Sequence, residues 1–308
     1  MDYADRGKLG IVYGDVTLGV HGGDFHLIFS YQTGGLESMV KHGKEWLYRT
    51  PKPTFWRATT DNDRGNGFPF RAGMWMTADM FQKYVDIQVR IDGTKIEKPS
   101  APVNNKYSDK ETAERVEVIF TYETLTVPST QVKVSYLVFA DGNVRVRAHY
   151  YGKEGMPELP AFGMRFVMPT KADGFVYEGL SGETYPDRKA GGIHGIYEVE
   201  GLPVTPYLVP QECGNRTGVR WAEVTDYRGR GLRFTGDGME FSALPYTPHE
   251  LENAMHDYEL PPVHYTVIRA NMQQMGIAGD DSWGAKTHEE YLLDASKHMS
   301  FTFSFKGI

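Results

Sequence analysis

The chain has 308 residues, with 33 Lys or Arg against 40 Asp or Glu, so its formal net charge at pH 7 is −7. A hydrophobic content of 40% at this length suffices for a large core and excludes a disordered, collagen-like or coiled-coil protein. The acidic balance argues against nucleic acid or an anionic membrane as the main partner. The single cysteine, Cys213, excludes an internal disulfide and favours a reducing compartment.

The first residues and the hydropathy pattern predict neither a secretion signal nor a membrane span. Asp2 and Asp5 stand where a signal peptide needs a basic region followed by an apolar one. No apolar run approaches the roughly 18 residues that a membrane helix needs. We therefore expect a globular protein of the cytoplasm.

Alternating apolar and polar residues predict that most of the chain forms β-strands. Such runs lie at 85–91, 116–122, 132–138, 144–148, 164–168 and 299–305. Asp141-Gly142 separates two of them and predicts a β-hairpin, because glycine accepts the positive φ of a tight turn. Further turns are predicted at 172–174, 228–231 and 236–238, where glycines cluster with polar residues.

Helical signals are few. Thr247, Pro248 and Glu250 predict a capped helix that runs to about His256, and 72–84 is a second candidate. The polar stretch 98–109 is predicted to be a long loop between strands. Strands and helices do not alternate, which disfavours a doubly wound or TIM-barrel fold. The pattern predicts one large all-β domain, an antiparallel β-sandwich or barrel.

Two carboxylate clusters are candidates for chemistry. Asp61, Asn62 and Asp63 could bind a hard cation or act as acid and base, or they could form a turn whose side chains cap the backbone. An EF-hand that starts at Asp61 is excluded, because Gly65 and Ala72 occupy the fifth and twelfth positions. Residues 276–283 contain the second cluster, Gly-Ile-Ala-Gly-Asp-Asp-Ser-Trp.

In that second cluster, Asp280 and Asp281 are adjacent and would point apart in an extended chain, so they make a poor acid/base pair. Trp283 has an indole face that suits the apolar face of a sugar ring, although tryptophan also serves as a packing residue. Histidines such as His256 and His288 lack zinc-site spacing, and Cys213 has no activating base nearby. The residues alone predict no catalytic set and no metal site on this chain.

Five segments in order resemble the C-terminal domain of the large bacterial β-galactosidases, glycoside hydrolase family 2. They are FWRATTDNDRG (55–65), YEGLSGETYPDR (177–188), YLVPQECGNRTGVRW (207–221), YTPHELENAMHDYEL (246–260) and GIAGDDSW (276–283). The resemblance implies a supersandwich, a large galactose-mutarotase-like β-sandwich. It implies a single domain over 1–308, in which residues 1–13 are an N-terminal extension.

In that family, the catalytic carboxylates lie on a TIM-barrel domain that this chain lacks. The resemblance therefore implies a small subunit of a heteromeric β-galactosidase, with no catalytic residue of its own. Its partner would be a large subunit that cleaves terminal β-galactosides such as lactose with retention, using two carboxylates about 5–5.5 Å apart. Mg²⁺, and Na⁺ in addition, would bind to that large subunit.

The resemblance also assigns site residues. Trp283 matches a tryptophan that reaches the sugar across a domain boundary, and it is the predicted substrate contact. Asp61, Asn62, Asp63 and Gly65 match the start of a mobile loop beside the active site, although residues 64–74 depart from the family's loop sequences. A free-standing aldose 1-epimerase and a carbohydrate-binding module are the alternative functions.

Overall fold

The computed structural model describes residues 7–97 and 111–308, which form nineteen strands and four short α-helices. The strands are β1 Leu9–Tyr13, β2 Thr17–His21, β3 Phe25–Ser30, β4 Gly35–Lys41, β5 Lys44–Glu45, β6 Arg49–Thr54, β7 Gln82–Ile91, β8 Thr94–Ile96, β9 Thr112–Ala113, β10 Arg115–Thr124, β11 Gln131–Phe139, β12 Val144–Tyr150, β13 Ala161–Met168, β14 Gly174–Leu180, β15 His194–Glu200, β16 Arg216–Thr225, β17 Gly231–Leu244, β18 Thr266–Gln274 and β19 Met299–Gly307. The helices are α1 Asp61–Gly65, α2 Phe68–Ala72, α3 Met74–Met80 and α4 Pro248–Asn253. No helix in the described ranges is long and apolar enough to cross a membrane.

The strands form two antiparallel sheets. The smaller has the order β5-β4-β3-β2-β1-β9, and the larger has the main path β15-β14-β16-β17-β19-β12-β11-β10-β7-β8. The larger sheet branches at β17, which pairs with β19 through Leu232–Gly236 and with β18 through Glu240–Leu244. From β18 the branch continues to β13 and β6.

The core lies between two layers. Phe29 of the smaller sheet packs against Phe120 and Tyr136 of the larger sheet, with ring centroids 6.4 and 5.8 Å away. On the branch, Phe166 of β13 packs edge to face against Phe234 of β17, with centroids 5.1 Å apart. Apolar side chains alternate inward along most strands, as period-two strands that are covered on one face require. The predicted class, a large antiparallel β-sandwich, is confirmed.

Most strand predictions are confirmed. The hairpin around Asp141-Gly142 joins β11 to β12, and Gly142 has φ +80°. The predicted turn at 236–238 is wrong, because these residues lie inside β17. Gly238 has φ +71° and lies where β17 changes its partner from β19 to β18. Gly236 and Gly238 therefore mark a local irregularity in β17 and not a turn that ends the strand.

The helix predictions need two corrections. Thr247 caps α4 through its side chain and Glu250, as predicted, but the helix ends at Asn253 rather than near His256. The second prediction, a helix over 72–84, is only partly right. Helix α3 ends at Met80 and β7 begins at Gln82. The predicted loop at 98–109 lies outside the described residues, and β1 falls within the predicted N-terminal extension.

Candidate functional site

Residues 276–288, here called the tryptophan loop, leave β18 and present one large aromatic side chain to solvent. Trp283 is 78% exposed, whereas Trp46, Trp56 and Trp75 are buried in the core. A tryptophan on the surface forgoes the apolar burial that its three counterparts gain. The loop is therefore the first place to look for a ligand contact.

Asp281 fixes the backbone around the tryptophan. Its Oδ1 accepts hydrogen bonds from the amides of Trp283, Gly284 and Ala285 at 2.9–3.0 Å. These amide donors favour the ionised carboxylate and lower the pKa of Asp281. The neighbouring Asp280 instead faces His288, with 2.9 Å between Oδ1 and Nε2. The two adjacent carboxylates have different partners, which agrees with the prediction that they are not an acid/base pair.

Residues of helix α1 hold the backbone of the tryptophan loop in place. The Nδ2 of Asn62 donates to the carbonyl of Ala285 at 2.6 Å, and its Oδ1 accepts from the amide of Gly284 at 2.7 Å. A Cβ placed on Gly65 would lie 2.4 Å from the carbonyl oxygen of Trp283, so only glycine permits this approach. The structure thus brings together the predicted loop residues and the predicted substrate contact, which are more than 200 positions apart in the chain.

Asp63 has a structural role. It forms a capping box with Thr60 at the start of α1, and its Oδ2 lies 2.5 Å from Nη1 of Arg57. Both members of this ion pair are buried, and Nη2 of Arg57 also donates to the carbonyl of Gly276, where the tryptophan loop begins. A buried arginine that binds a carboxylate and a carbonyl holds α1 against the loop. Asp61 differs from Asp63, because its side chain is 65% exposed.

A second anchor holds residues 277–279 at the start of the tryptophan loop. The carboxylate of Asp187 accepts from the amides of Ile277 and Ala278 at 3.1 Å, and Arg188 donates to the carbonyl of Gly279 at 2.9 Å. The residues alone did not identify this pair. Asp187 and Arg188 lie in the segment 177–188, and the resemblance of this segment to the family is the feature of the sequence that could have identified them.

A group of buried polar residues also includes side chains that the sequence did not single out. Glu212 and Arg269 form a buried ion pair, and Gln274 donates to Glu212 at 3.3 Å. Cys213, beside them, is fully buried, and burial raises the pKa of its thiol to about 12. The sequence did not predict the ion pair or its partners, because Glu212 precedes β16 whereas Arg269 and Gln274 lie on β18, far along the chain. Burial and pKa both agree with the prediction that Cys213 is not a nucleophile.

Two exposed apolar residues flank α1. Phe70 of α2 is 95% exposed and Leu208 is 92% exposed. The segment of Leu208 is tied to α1, because the amide of Asp61 donates to Gln211 at 2.9 Å and Arg64 donates to the carbonyl of Pro210 at 3.0 Å. Within the described ranges, no group of three or more His, Cys, Asp or Glu side chains is arranged to hold a metal ion.

Comparison with known proteins gives the family. Residues 21–305 match the family model of the β-galactosidase small chain, and the chain belongs to this family. It is 54% identical over 314 residues to the β-galactosidase small subunit of Latilactobacillus sakei, in an alignment that covers 97% of this chain and 98% of that protein.

The chain also resembles one part of longer enzymes. It is 39% identical over 311 residues to the β-galactosidase of Halalkalibacterium halodurans, an alignment that covers 98% of this chain but 29% of that protein. Among solved structures, a galactose mutarotase-like protein from Lactobacillus casei aligns with 95% of this chain and 100% of its own length, with a TM-score of 0.45 and 10% identity. A likeness this weak says nothing about activity.

Proposed function

We propose that this chain completes the sugar-binding pocket of a heteromeric β-galactosidase without breaking a bond itself. A large subunit would contribute the two catalytic carboxylates, which cleave a terminal β-galactoside such as lactose with retention. Membership of the small-chain family supports the assignment to such an assembly. The single structural observation in its favour is the exposed, firmly supported Trp283.

Trp283 suits stacking on a sugar because its backbone is fixed before any ligand arrives. Asp281 and Asn62 bind the loop backbone at residues 283–285, and Gly65 packs against the backbone carbonyl oxygen of Trp283. A loop backbone that is already positioned loses little freedom on binding, which favours affinity. The contribution is one of positioning, because the indole has no group that accepts or donates the catalytic proton.

Three carboxylates around the loop make structural contacts, and this supports a role without catalysis. Asp63 is paired with Arg57, Glu212 with Arg269, and Asp281 with backbone amides. Each is committed to holding the fold, so none is available as a nucleophile. We place the Mg²⁺ and Na⁺ ions on the large subunit, where the reacting groups would be, and we place the assembly in the cytoplasm.

The surface around α1 is the face that we assign to the large subunit. Phe70 and Leu208 are almost fully exposed and lie on segments that flank α1, next to the tryptophan loop. A partner seated on these two side chains would bring its own active site to the indole. Burial of such apolar area is the main driving force of protein association.

The experiment is the variant Trp283→Ala in the assembled enzyme. Loss of one stacking contact should cost about 1–3 kcal/mol and raise KM roughly 5- to 150-fold, while folding and assembly stay intact because the side chain is exposed. Tyr258→Ala is the matched control, since Tyr258 is 82% exposed on another loop. An unchanged KM, or loss of assembly in Trp283→Ala alone, would refute the substrate contact.

A further inference from the structure

A second cavity lies apart from the indole. It has a volume of about 380 Å³ and opens where β16, β17 and β18 meet the residues that follow the tryptophan loop. Its walls include Leu180, Pro186, Lys189, Glu240, Met272 and Gln273. Trp283 is not among them, so the proposed function leaves this cavity without a role.

Glu240 is a largely buried carboxyl group in this cavity wall, and one of its oxygens is free to bind a ligand. The side chain is 5% exposed, and its Oε2 accepts from Nδ2 of Asn215 at 3.1 Å and from the amide of Gln274 at 3.0 Å. Its Oε1 accepts no hydrogen bond from any residue in 7–97 or 111–308. Oε1 is also not one of the fully buried side-chain atoms that lack a partner, so a ligand or water in the cavity can reach it and hydrogen-bond to it.

The remaining wall is polar, with balanced charges. Gln273 is half-buried, and its amide group bonds to no other side chain or backbone group in the described part of the chain. Lys189 and Glu290 are exposed and of opposite charge. Burial raises the pKa of Glu240 to about 8, so at neutral pH its carboxyl group is mostly protonated and can both donate and accept. Such a wall favours a neutral ligand that is rich in hydroxyl groups.

Apolar residues complete the wall. Leu180, Pro186 and Met272 offer carbon atoms that can pack against the C–H face of a ring. The volume is at the small end of the range of about 300–1,000 Å³ that ligand pockets occupy, and this suits one ring rather than a longer chain. We propose that this cavity binds a single neutral pyranose sugar, at a site separate from the surface around Trp283.

Nuclear magnetic resonance of the full chain with ¹³C-labelled methionine methyl groups tests the proposal, with galactose as the probe. The variant Met272→Leu, which conserves volume, identifies the Met272 resonance by its loss. We expect galactose to shift that resonance saturably, with a Kd on the order of a millimolar for so small a ligand. No shift of the Met272 resonance at galactose concentrations far above that value would overturn the proposal.

Three variants locate the binding. Gln273→Ala should weaken galactose binding about five-fold, the effect of one lost hydrogen bond, and leave the fold intact because the amide has no partner. Gln131→Ala, at an exposed strand position outside the cavity, should leave Kd unchanged. Equal affinity in Gln273→Ala and Gln131→Ala would overturn the proposal.

Trp283→Ala should also leave the Met272 shift unchanged. A shift that disappears in Trp283→Ala would show that galactose binds at the indole and would overturn the separate site. Because this readout needs neither the large subunit nor activity, failure of the second sugar site is distinguishable from failure of the proposed function.

Discussion

Three adjacent residues of α1 have three different environments. Asp61 is exposed, Asn62 binds the backbone of the tryptophan loop, and Asp63 is buried against Arg57. The side chains of neighbouring helix residues point about 100° apart, so three consecutive polar residues face different surroundings and have different roles. The prediction that such side chains cap the backbone is right for Asp63, because its Thr60 partner is local. The partner of Asn62 is 223 positions away, and no local pattern identifies it.

Cys213 gives a prediction at the scale of one residue. Its thiol is fully buried, and burial raises its pKa to about 12, so almost no thiolate is present at neutral pH. We expect a thiol reagent to leave the native chain unmodified and to modify one site per chain after unfolding. Mass spectrometry measures both numbers. Stoichiometric modification of the native chain would contradict the buried position.

Glu240 makes stability depend on pH. Burial raises its folded-state pKa to about 8, whereas an unfolded glutamate titrates near about 4.3. Between these values the folded chain binds more protons, so the contribution of Glu240 to the free energy of unfolding falls as pH rises. Glu240→Gln keeps an acceptor for Asn215 and Gln274 and removes this titration.

We therefore expect wild type to lose about 2–4 kcal/mol relative to Glu240→Gln between about pH 5 and about pH 8.5, as measured by urea unfolding. Glu290→Gln is the control, since Glu290 is exposed and its substitution should leave the pH dependence close to that of wild type. A difference between wild type and Glu240→Gln that does not vary with pH would contradict the assignment.

At the scale of elements, the pairing of strands that are adjacent in sequence was predictable, and the pairing of strands far apart in the chain was not. The β11–β12 hairpin follows from two alternating runs around Asp141-Gly142. The C-terminal strand β19 was predicted as a strand, but its place between β12 and β17 was not, because alternation says which face is buried and not which strand lies beside it. Helix α3 is shorter than predicted, since the tertiary pairing of β7 with β10 begins at Gln82.

The contact between α1 and the tryptophan loop also gives a prediction. Asn62→Ala removes both hydrogen bonds to residues 284 and 285. We expect a loss of about 1–3 kcal/mol in stability and faster hydrogen exchange at the amide of Gly284. Asn66→Ala is the matched control, because its side chain bonds to Arg71 and not to the loop. Equal exchange rates in the two variants would contradict the supporting role of α1.

At the scale of the whole molecule, the residues predicted the class and the resemblance predicted the family. Alternation and turns indicated one large antiparallel sandwich or barrel, the resemblance implied the sandwich, and the two sheets confirm the sandwich. The layer arrangement was not predictable, because it depends on the branch at β17 and on aromatic contacts such as that of Phe166 with Phe234.

The central claim is that this chain is necessary for galactosidase activity and does not catalyse. The most direct measurement is hydrolysis of lactose by this chain and by its large subunit, each purified separately and then mixed. We expect no hydrolysis by this chain, little by the large subunit, and full activity in the mixture together with a heteromeric complex in size-exclusion chromatography. Hydrolysis by this chain alone, or equal activity of the large subunit with and without it, would contradict the account.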